Sequence, residues 1–265
     1  MGAESFSVIY LLAMIKARVI HRRVLASLAL LVVGAWAVAY GEQWVLRRRA
    51  EKFLGEIRSL QVNRSTLADV KPLIAKWSKT QKVWSDCTAE DCQYGVSLTH
   101  VLPRPLQGYP DVGVKNYLPR VMEAIGLRSV WVQGGIRVRN GVVTDRTFLE
   151  DISLPVGAWF DRDGAFVPDL LVVSSERSSF SKNYLVSPYP HRVAGNLQGP
   201  YGVKITFSPD ERAEMREALM DFRLNCITRF SPCLRESEIL PESLKLLEET
   251  RAAQRAANRA TSPTS

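Results

Sequence analysis

The chain has 265 residues, 46% of them apolar and 23% charged, proportions that exclude a disordered chain, a collagen and a multi-span transporter. Its 35 Lys and Arg outnumber 27 Asp and Glu, for a net charge of +8. Such a balance suggests nucleic acid or an anionic membrane surface as partner.

The charge is uneven. Within the first 60 residues, nine cations (Lys16, Arg18, Arg22, Arg23, Arg47, Arg48, Arg49, Lys52, Arg58) meet four acids (Glu4, Glu42, Glu51, Glu56). The 18 residues from Val24 to Gly41 carry no charge. As a helix they would span about 27 Å, close to the thickness of bilayer hydrocarbon. The reading is a basic segment at 1–23 and a transmembrane helix at 24–46. Arg22 and Arg23 flank it on one side and Arg47, Arg48 and Arg49 on the other. Trp36, Tyr40 and Trp44 stand where an aromatic belt would sit, so these eight residues are the expected membrane interface. A buried core helix would be amphipathic, whereas this stretch is apolar all round. A cleaved signal peptide is the alternative, with Ala37 and Ala39 as the small residues before a cut near Ala39. The apolar run continues through Trp44, Val45 and Leu46, longer than a usual signal core. Orientation is not set by charge, because four Lys/Arg precede the span and four follow it closely.

Residues 47–60 predict a helical stalk that docks on the domain: Ala50, Phe53, Leu54 and Ile57 recur at i, i+3, i+4 and i+7. A domain follows at 61–248. Ser65 is the expected N-cap of a helix over 66–77, whose weakness is Pro72. Strands are expected at 82–85 and 93–101, and a Pro/Gly-rich loop at 103–119 precedes a short helix at 120–125. Residues 130–133 read as a strand that bends at Gly134-Gly135. Asn140-Gly141 between alternating runs is a strong hairpin signal. Residues 170–173 and 203–207 are further strands, and 176–200, rich in Ser, Pro, Gly and Tyr, read as a loop. Ser208-Pro209-Asp210-Glu211 predicts the start of a helix reaching about Leu224. A last helix follows Pro241, and residues 249–265 fray into a tail. Hairpin links without crossover helices make the fold class α+β: antiparallel strands with flanking helices.

All four cysteines follow the span. Cys87 and Cys92 form one local pair, Cys226 and Cys233 another, and an even number in an exported domain points to two disulfides. The pairing 87–92 with 226–233 closes the shortest loops. A four-cysteine zinc site fits this spacing poorly, a redox pair would have two intervening residues, and buried free thiols would favour a cytosolic domain.

The chain resembles uncharacterised membrane-anchored proteins of environmental bacteria at three places. They are Ser59-Leu60-x-Val62-x-x-Ser65-Thr66-x-x-Asp69; Cys87-Thr88-x-Glu90-x-Cys92; and Leu224-Asn225-Cys226-Ile227-Thr228-Arg229 with Cys233 and Glu238-Ile239-Leu240-Pro241. The resemblance covers the two ends of the soluble domain. It implies an anchored topology and structural cysteines, and no activity.

Catalytic signatures are absent from the sequence: no H-E-x-x-H, G-x-S-x-G, P-loop or Rossmann fingerprint occurs. His21 is interfacial, and His100 and His191 stand apart from carboxylates and cysteines. Asp161-Arg162-Asp163-Gly164 begins like a calcium loop but lacks the later ligands. Asp86, Glu90 and Asp91 form an acidic turn. Beyond residue 60 the cations and acids nearly balance, which argues against nucleic acid as a partner. The expectation is therefore a single-pass membrane protein with an extracytoplasmic, periplasmic α+β domain. Its role is binding or scaffolding, without catalytic residues, metal or cofactor. Its partners are membrane lipid and an unidentified envelope protein. The alternative is an enzyme whose site is assembled from residues 100–200.

Overall fold

The computed structural model describes residues 4–100, 125–153, 169–181, 184–193 and 196–242, with Lys245, Leu246, Glu248, Glu249 and Ala252 beyond them. The expected loop at 103–119, nearly all of the helix expected at 120–125, Asp161 to Gly164 and most of the tail lie outside the described residues. The chain divides into two compact units, 1–42 and 43–265.

Helix α1 (Glu4–Ser59) runs through both units. In the first unit, side chains from Arg22 to Glu42 are exposed or half-exposed. They include Leu30 at 73% and Leu31 at 71% exposure. From Arg22 onward the helix is long and apolar enough to cross a membrane, and none of its most apolar window is buried. Trp36 and Tyr40, one turn apart, stack with ring centroids 5.4 Å apart.

In the second unit the same helix becomes amphipathic. Leu46, Ala50, Phe53, Leu54 and Ile57 are buried, the stripe that the i, i+3, i+4 spacing predicts. They join the core that covers one face of a seven-stranded sheet in the order β1-β2-β3-β4-β5-β7-β6. The strands are β1 (Lys82–Cys87), β2 (Asp91–His100), β3 (Val130–Arg139), β4 (Val142–Ser153), β5 (Asp169–Arg177), β6 (Tyr184–Val193) and β7 (Asn196–Phe207). Phe53 packs edge-on against Trp77 at 5.0 Å and lies 6.4 Å from Phe148. Gly134 makes this approach possible: a Cβ there would lie 2.2 Å from Ile57 Cδ1 and 2.4 Å from Phe53 Cε1.

Helix α2 (Leu67–Trp77) starts one residue later than expected. Thr66 is the cap, and both its N–H and its hydroxyl donate to Asp69. Ser65 instead accepts from the Gln61 N–H at 2.9 Å and closes the preceding turn. Pro72 is tolerated inside α2. The Trp77 indole donates to Glu56 of α1 at 2.6 Å, and Lys76 pairs with the same carboxylate.

Four expectations are corrected. The sheet is mixed and not purely antiparallel, because β5 pairs parallel with β7. The chain leaves β5, forms β6 at the sheet edge, and returns as β7 in the gap between them. Most of the expected loop at 176–200 is therefore strand. Its prolines are accommodated at the edge, where the register is irregular between Pro188, Pro190 and His191, as edge strands allow. Gly134-Gly135 is no bend, since β3 runs through it in continuous register with β2 and β4. Finally, Ser208 caps only a turn, accepting from the Asp210 N–H at 3.1 Å, and the helix α3 (Ala213–Ala218) begins later. A 3-10 turn (Leu224–Ile227) and a short helix α4 (Glu236–Ile239) follow, and Pro241, Glu242, Lys245, Leu246, Glu248, Glu249 and Ala252 are helical, where the last helix is expected. The Asn140-Gly141 hairpin is present as read, with φ of 49° and 79°, the positive pair that a primed turn requires.

A buried polar lock ties α1 to the sheet. Arg146 of β4, 6% exposed, donates from Nη1 to the carbonyls of Ile57, Arg58 and Leu60 at 3.3, 2.7 and 2.6 Å. The Arg58 carbonyl is one that a helix C-terminus leaves without an intrahelical donor; the Ile57 carbonyl also accepts from the Leu60 N–H at 3.2 Å, and Leu60 follows the helix. The Arg146 Nε pairs with the fully buried Glu176, whose other oxygen accepts from Arg216 Nε at 2.7 Å. Burial pulls the Arg146 pKa down and the Glu176 charge opposes that shift. On the same sheet face, Glu150 is fully buried and neither oxygen has a hydrogen-bond partner among the described residues. Burial first, and then the Asp151 charge, raise its pKa well above the carboxylate range.

Candidate functional site on the solvent face of the sheet

The face turned away from α1 carries the other half of each strand alternation. In β3 that set is Trp131, Gln133, Gly135, Arg137 and Arg139, and register places Gln93, Gly95 and Ser97 of β2 on one side of it. Asp145, Thr147 and Leu149 of β4 lie on the other side, and Arg177 of β5 lies beyond Asp145. A concavity of about 240 Å³ opens here, lined by Trp84, Gln93, Gln133, Gly135, Ile136, Arg137, Asp145, Thr147, Leu149 and Arg177.

Its shape follows from two glycines. Gly95 and Gly135 are cross-strand neighbours. Trp84 of the edge strand stands opposite Gly95 and lies over it, with ring atoms 2.1–2.4 Å from where a Cβ would be. Gly135 leaves open floor: a Cβ there would meet only Thr147 Cβ at 3.7 Å and the Tyr94 carbonyl at 3.9 Å.

The walls are polar, and Arg137 and Thr147 are held by hydrogen bonds. Asp91 accepts from Arg137 Nε at 2.8 Å and Nη2 at 2.6 Å, and from Arg139 Nη2 at 3.1 Å. The Arg137 hydrogen bonds, assisted by Arg139 and opposed by partial burial, hold Asp91 at a pKa of about 2. Arg137 is thereby braced against the pocket from outside it. Arg177 Nε lies 3.7 Å from Asp145, and Thr147 shares a 3.0 Å hydrogen bond with Ser175. The amides of Gln93 and Gln133 make no hydrogen bond with another described residue. An indole wall, two primary amides, two guanidiniums, one carboxylate and a hydroxyl suit a small polar ligand. Pockets for whole small molecules occupy roughly 300–1,000 Å³, so this one fits a compact molecule or a single unit of a larger one.

The residues singled out in the sequence lie elsewhere. Cys87 and Cys92 are directly opposed at the β1–β2 turn, with Cα atoms 4.1 Å apart, and Cys226 and Cys233 lie 5.7 Å apart. Both pairs are at disulfide distance, in the pairing that closes the shortest loops. Arg22, Arg23, Arg48 and Arg49 are exposed along α1, and Trp36 and Tyr40 are half-buried there. Trp44 is 50% exposed, with the Arg48 guanidinium 4.8 Å from its ring centroid. Arg47 turns into the domain, donating to Glu51 at 2.8 Å and to the Thr228 hydroxyl at 3.0 Å. His100 stands opposite Val130, and His191 opposite Gln198. Four strands separate β2 from β6, so the fold does not bring these histidines together. Among the described residues no group of three or more His, Cys, Asp or Glu could hold a metal ion.

Of the acidic turn, Asp86 and Glu90 are exposed and only Asp91 engages cations. The pocket residues were not singled out from the sequence. The signal was present in the alternation of Trp131, Gln133, Arg137 and Arg139 with buried valines and Ile136, but β1, β4 and β5 complete the site through pairings no local pattern specifies. No protein family, no curated protein and no solved structure matches the chain.

Proposed function

We propose that the chain is a single-pass membrane protein whose α+β domain stands on the extracytoplasmic side and works by binding, with the pocket over Gly135 as its recognition site. One observation carries the anchored half of the reading. From Arg22 to Glu42 helix α1 is exposed or half-exposed around its apolar run, and from Gln43 to Ser59 it is amphipathic with one face buried. In water, so many exposed Leu and Val side chains on one element would be a liability, and a bilayer removes it. The two disulfide-distance pairs support an oxidising compartment for the domain. The positive charge that suggested nucleic acid is concentrated around the apolar run and serves as its interfacial flank.

Support for binding comes from the pocket's chemistry. Two of its hydrogen-bonding groups, Arg137 and Thr147, are braced by Asp91 and Ser175, and its floor is left open by a glycine. The reading is tested by Gly135→Val, which fills the floor at ordinary contact distances. A photo-crosslinker at position 133 in native membranes should give a discrete adduct that Gly135→Val abolishes without lowering the melting temperature. An adduct insensitive to Gly135→Val would sink the assignment of the pocket.

A further inference from the structure

The loop closed by Cys226 and Cys233 and the residue that follows it display two large apolar side chains in water: Phe230 is 57% exposed and Leu234 is 52% exposed. The backbone beneath them is fixed. Arg128, 1% exposed, donates to the Cys226 carbonyl at 3.1 Å and to the Phe230 carbonyl at 2.8 Å. Glu238 accepts from the Leu234 and Arg235 amides at 2.7 and 3.2 Å. A loop so braced cannot fold its apolar side chains inward.

The same residues set the height of the loop along α1. Gln43 donates to the Arg128 carbonyl at 3.0 Å, and Arg47 donates to Thr228 at 3.0 Å. Positions 43 and 47 bracket the end of the apolar run. Trp44 and Val45, between them, are 50% and 43% exposed. At 1.5 Å per residue the four helical positions cover about 6 Å of axis. The polar interface of a leaflet is of similar depth, roughly 5–8 Å. Phe230 is two residues from Thr228, within about 7 Å of chain. Exposed Arg235 follows the apolar pair and is complementary to lipid phosphates, and Arg229, on its other side, donates to Glu238 and Ser231 at 2.8 Å.

We infer that the Cys226–Cys233 loop is a second membrane contact: Phe230 and Leu234 insert into the headgroup and acyl boundary of the bilayer that holds α1. The inference rests on the anchored reading above. Its occupant is phospholipid, because the hydrogen bonds from Gln43 and Arg47 hold the loop level with the end of the span. Rigid display of apolar side chains beside cations is the chemistry of interfacial insertion.

The test uses the full chain in vesicles of phosphatidylcholine and phosphatidylglycerol containing a tagged phospholipid. p-Benzoylphenylalanine replaces Trp44, Phe230, Leu234 or Leu185, one at a time. Leu185 is 45% exposed and lies beside Thr206, at the end of the sheet where Arg146 and Glu176 meet the C-terminus of α1. Position 44 is about 20 Å away along the helix. Lipid adducts at 230 and 234 should match position 44 and exceed position 185 at least tenfold. Adducts at 44 alone would overturn the loop contact and leave the anchor standing. Their absence at all positions would overturn both. Equal labelling at 185 and 230, or crosslinks between copies at 230, would also overturn the loop contact. Phe230→Ser with Leu234→Ser should keep the wild-type melting temperature, since both side chains are exposed; a large drop would assign them to the fold and contradict insertion.

Discussion

Adjacent glycines in β3 point to opposite faces of the sheet, and replacing each with alanine should have opposite effects. In Gly134→Ala the new methyl would lie 2.2 Å from Ile57 Cδ1 and 2.4 and 2.5 Å from two Phe53 ring atoms. Comfortable carbon contacts are about 3.5–4.0 Å, so helix and strand must separate by more than an ångström. Phe53 and Ile57 are both 0% exposed and have nowhere to rotate. Overpacking of this kind costs about 1–3 kcal/mol, partly offset by about 0.5–1 kcal/mol for removing a glycine from a strand. In Gly135→Ala the methyl meets Thr147 Cβ at 3.7 Å, so only the favourable part remains. The two variants should differ by about 2 kcal/mol, several degrees in melting temperature for a domain of this size. Thermal unfolding of the full chain in detergent, followed by near-ultraviolet dichroism, measures this. Equal shifts, or a Gly134→Ala variant more stable than Gly135→Ala, would refute the packing of α1 on β3.

Arg146→Met should cost about 3–5 kcal/mol in denaturant unfolding, because it strips a buried partner from Glu176 and a side-chain donor from the carbonyls of Ile57, Arg58 and Leu60 at the end of α1; a loss under 1 kcal/mol would show that the lock is not formed. Glu150→Leu should stabilise the domain by about 1–3 kcal/mol at pH 7, since it removes a buried acid that has no hydrogen-bond partner among the described residues. The folded-state pKa of Glu150 is raised, so its contribution is fully present below the unfolded value of about 4.3 and declines as pH rises toward the folded pKa. Unfolding midpoints between pH 4 and 8 should show this decline in the wild type and its absence in Glu150→Leu; a variant that keeps the decline would contradict it. For the cysteines, maleimide mass-tagging of membranes should add nothing before reduction and four tags after denaturation and reduction. Four tags without reductant would rule out an oxidising compartment.

Helix α1 and its two characters were legible because an uncharged run and an i, i+3, i+4 stripe are local patterns. The Asn140-Gly141 hairpin was equally local, and so was the short-loop pairing of the cysteines. The parallel pairing of β5 with β7 was not, because it depends on β6 leaving its neighbour and returning from the edge, and serine and proline in β6 mimic a loop. The two glycines of β3 looked like a bend because a strand rarely lacks side chains at consecutive positions. Their reason is tertiary: one admits Phe53 and Ile57, and the other floors the pocket. Arg146 and Glu176 carry no local signal in sequence, and only their cross-strand register buries them together under the end of α1.

The central claim, that α1 anchors the domain on the far side of a membrane, is tested most directly by paired fusions after Ser265. One reporter should be active only outside the cytoplasm and the other only inside it. The account predicts activity from the first and silence from the second, in a membrane fraction that resists alkaline extraction. Activity from the cytoplasmic reporter, or release of the chain into the soluble fraction, would contradict it.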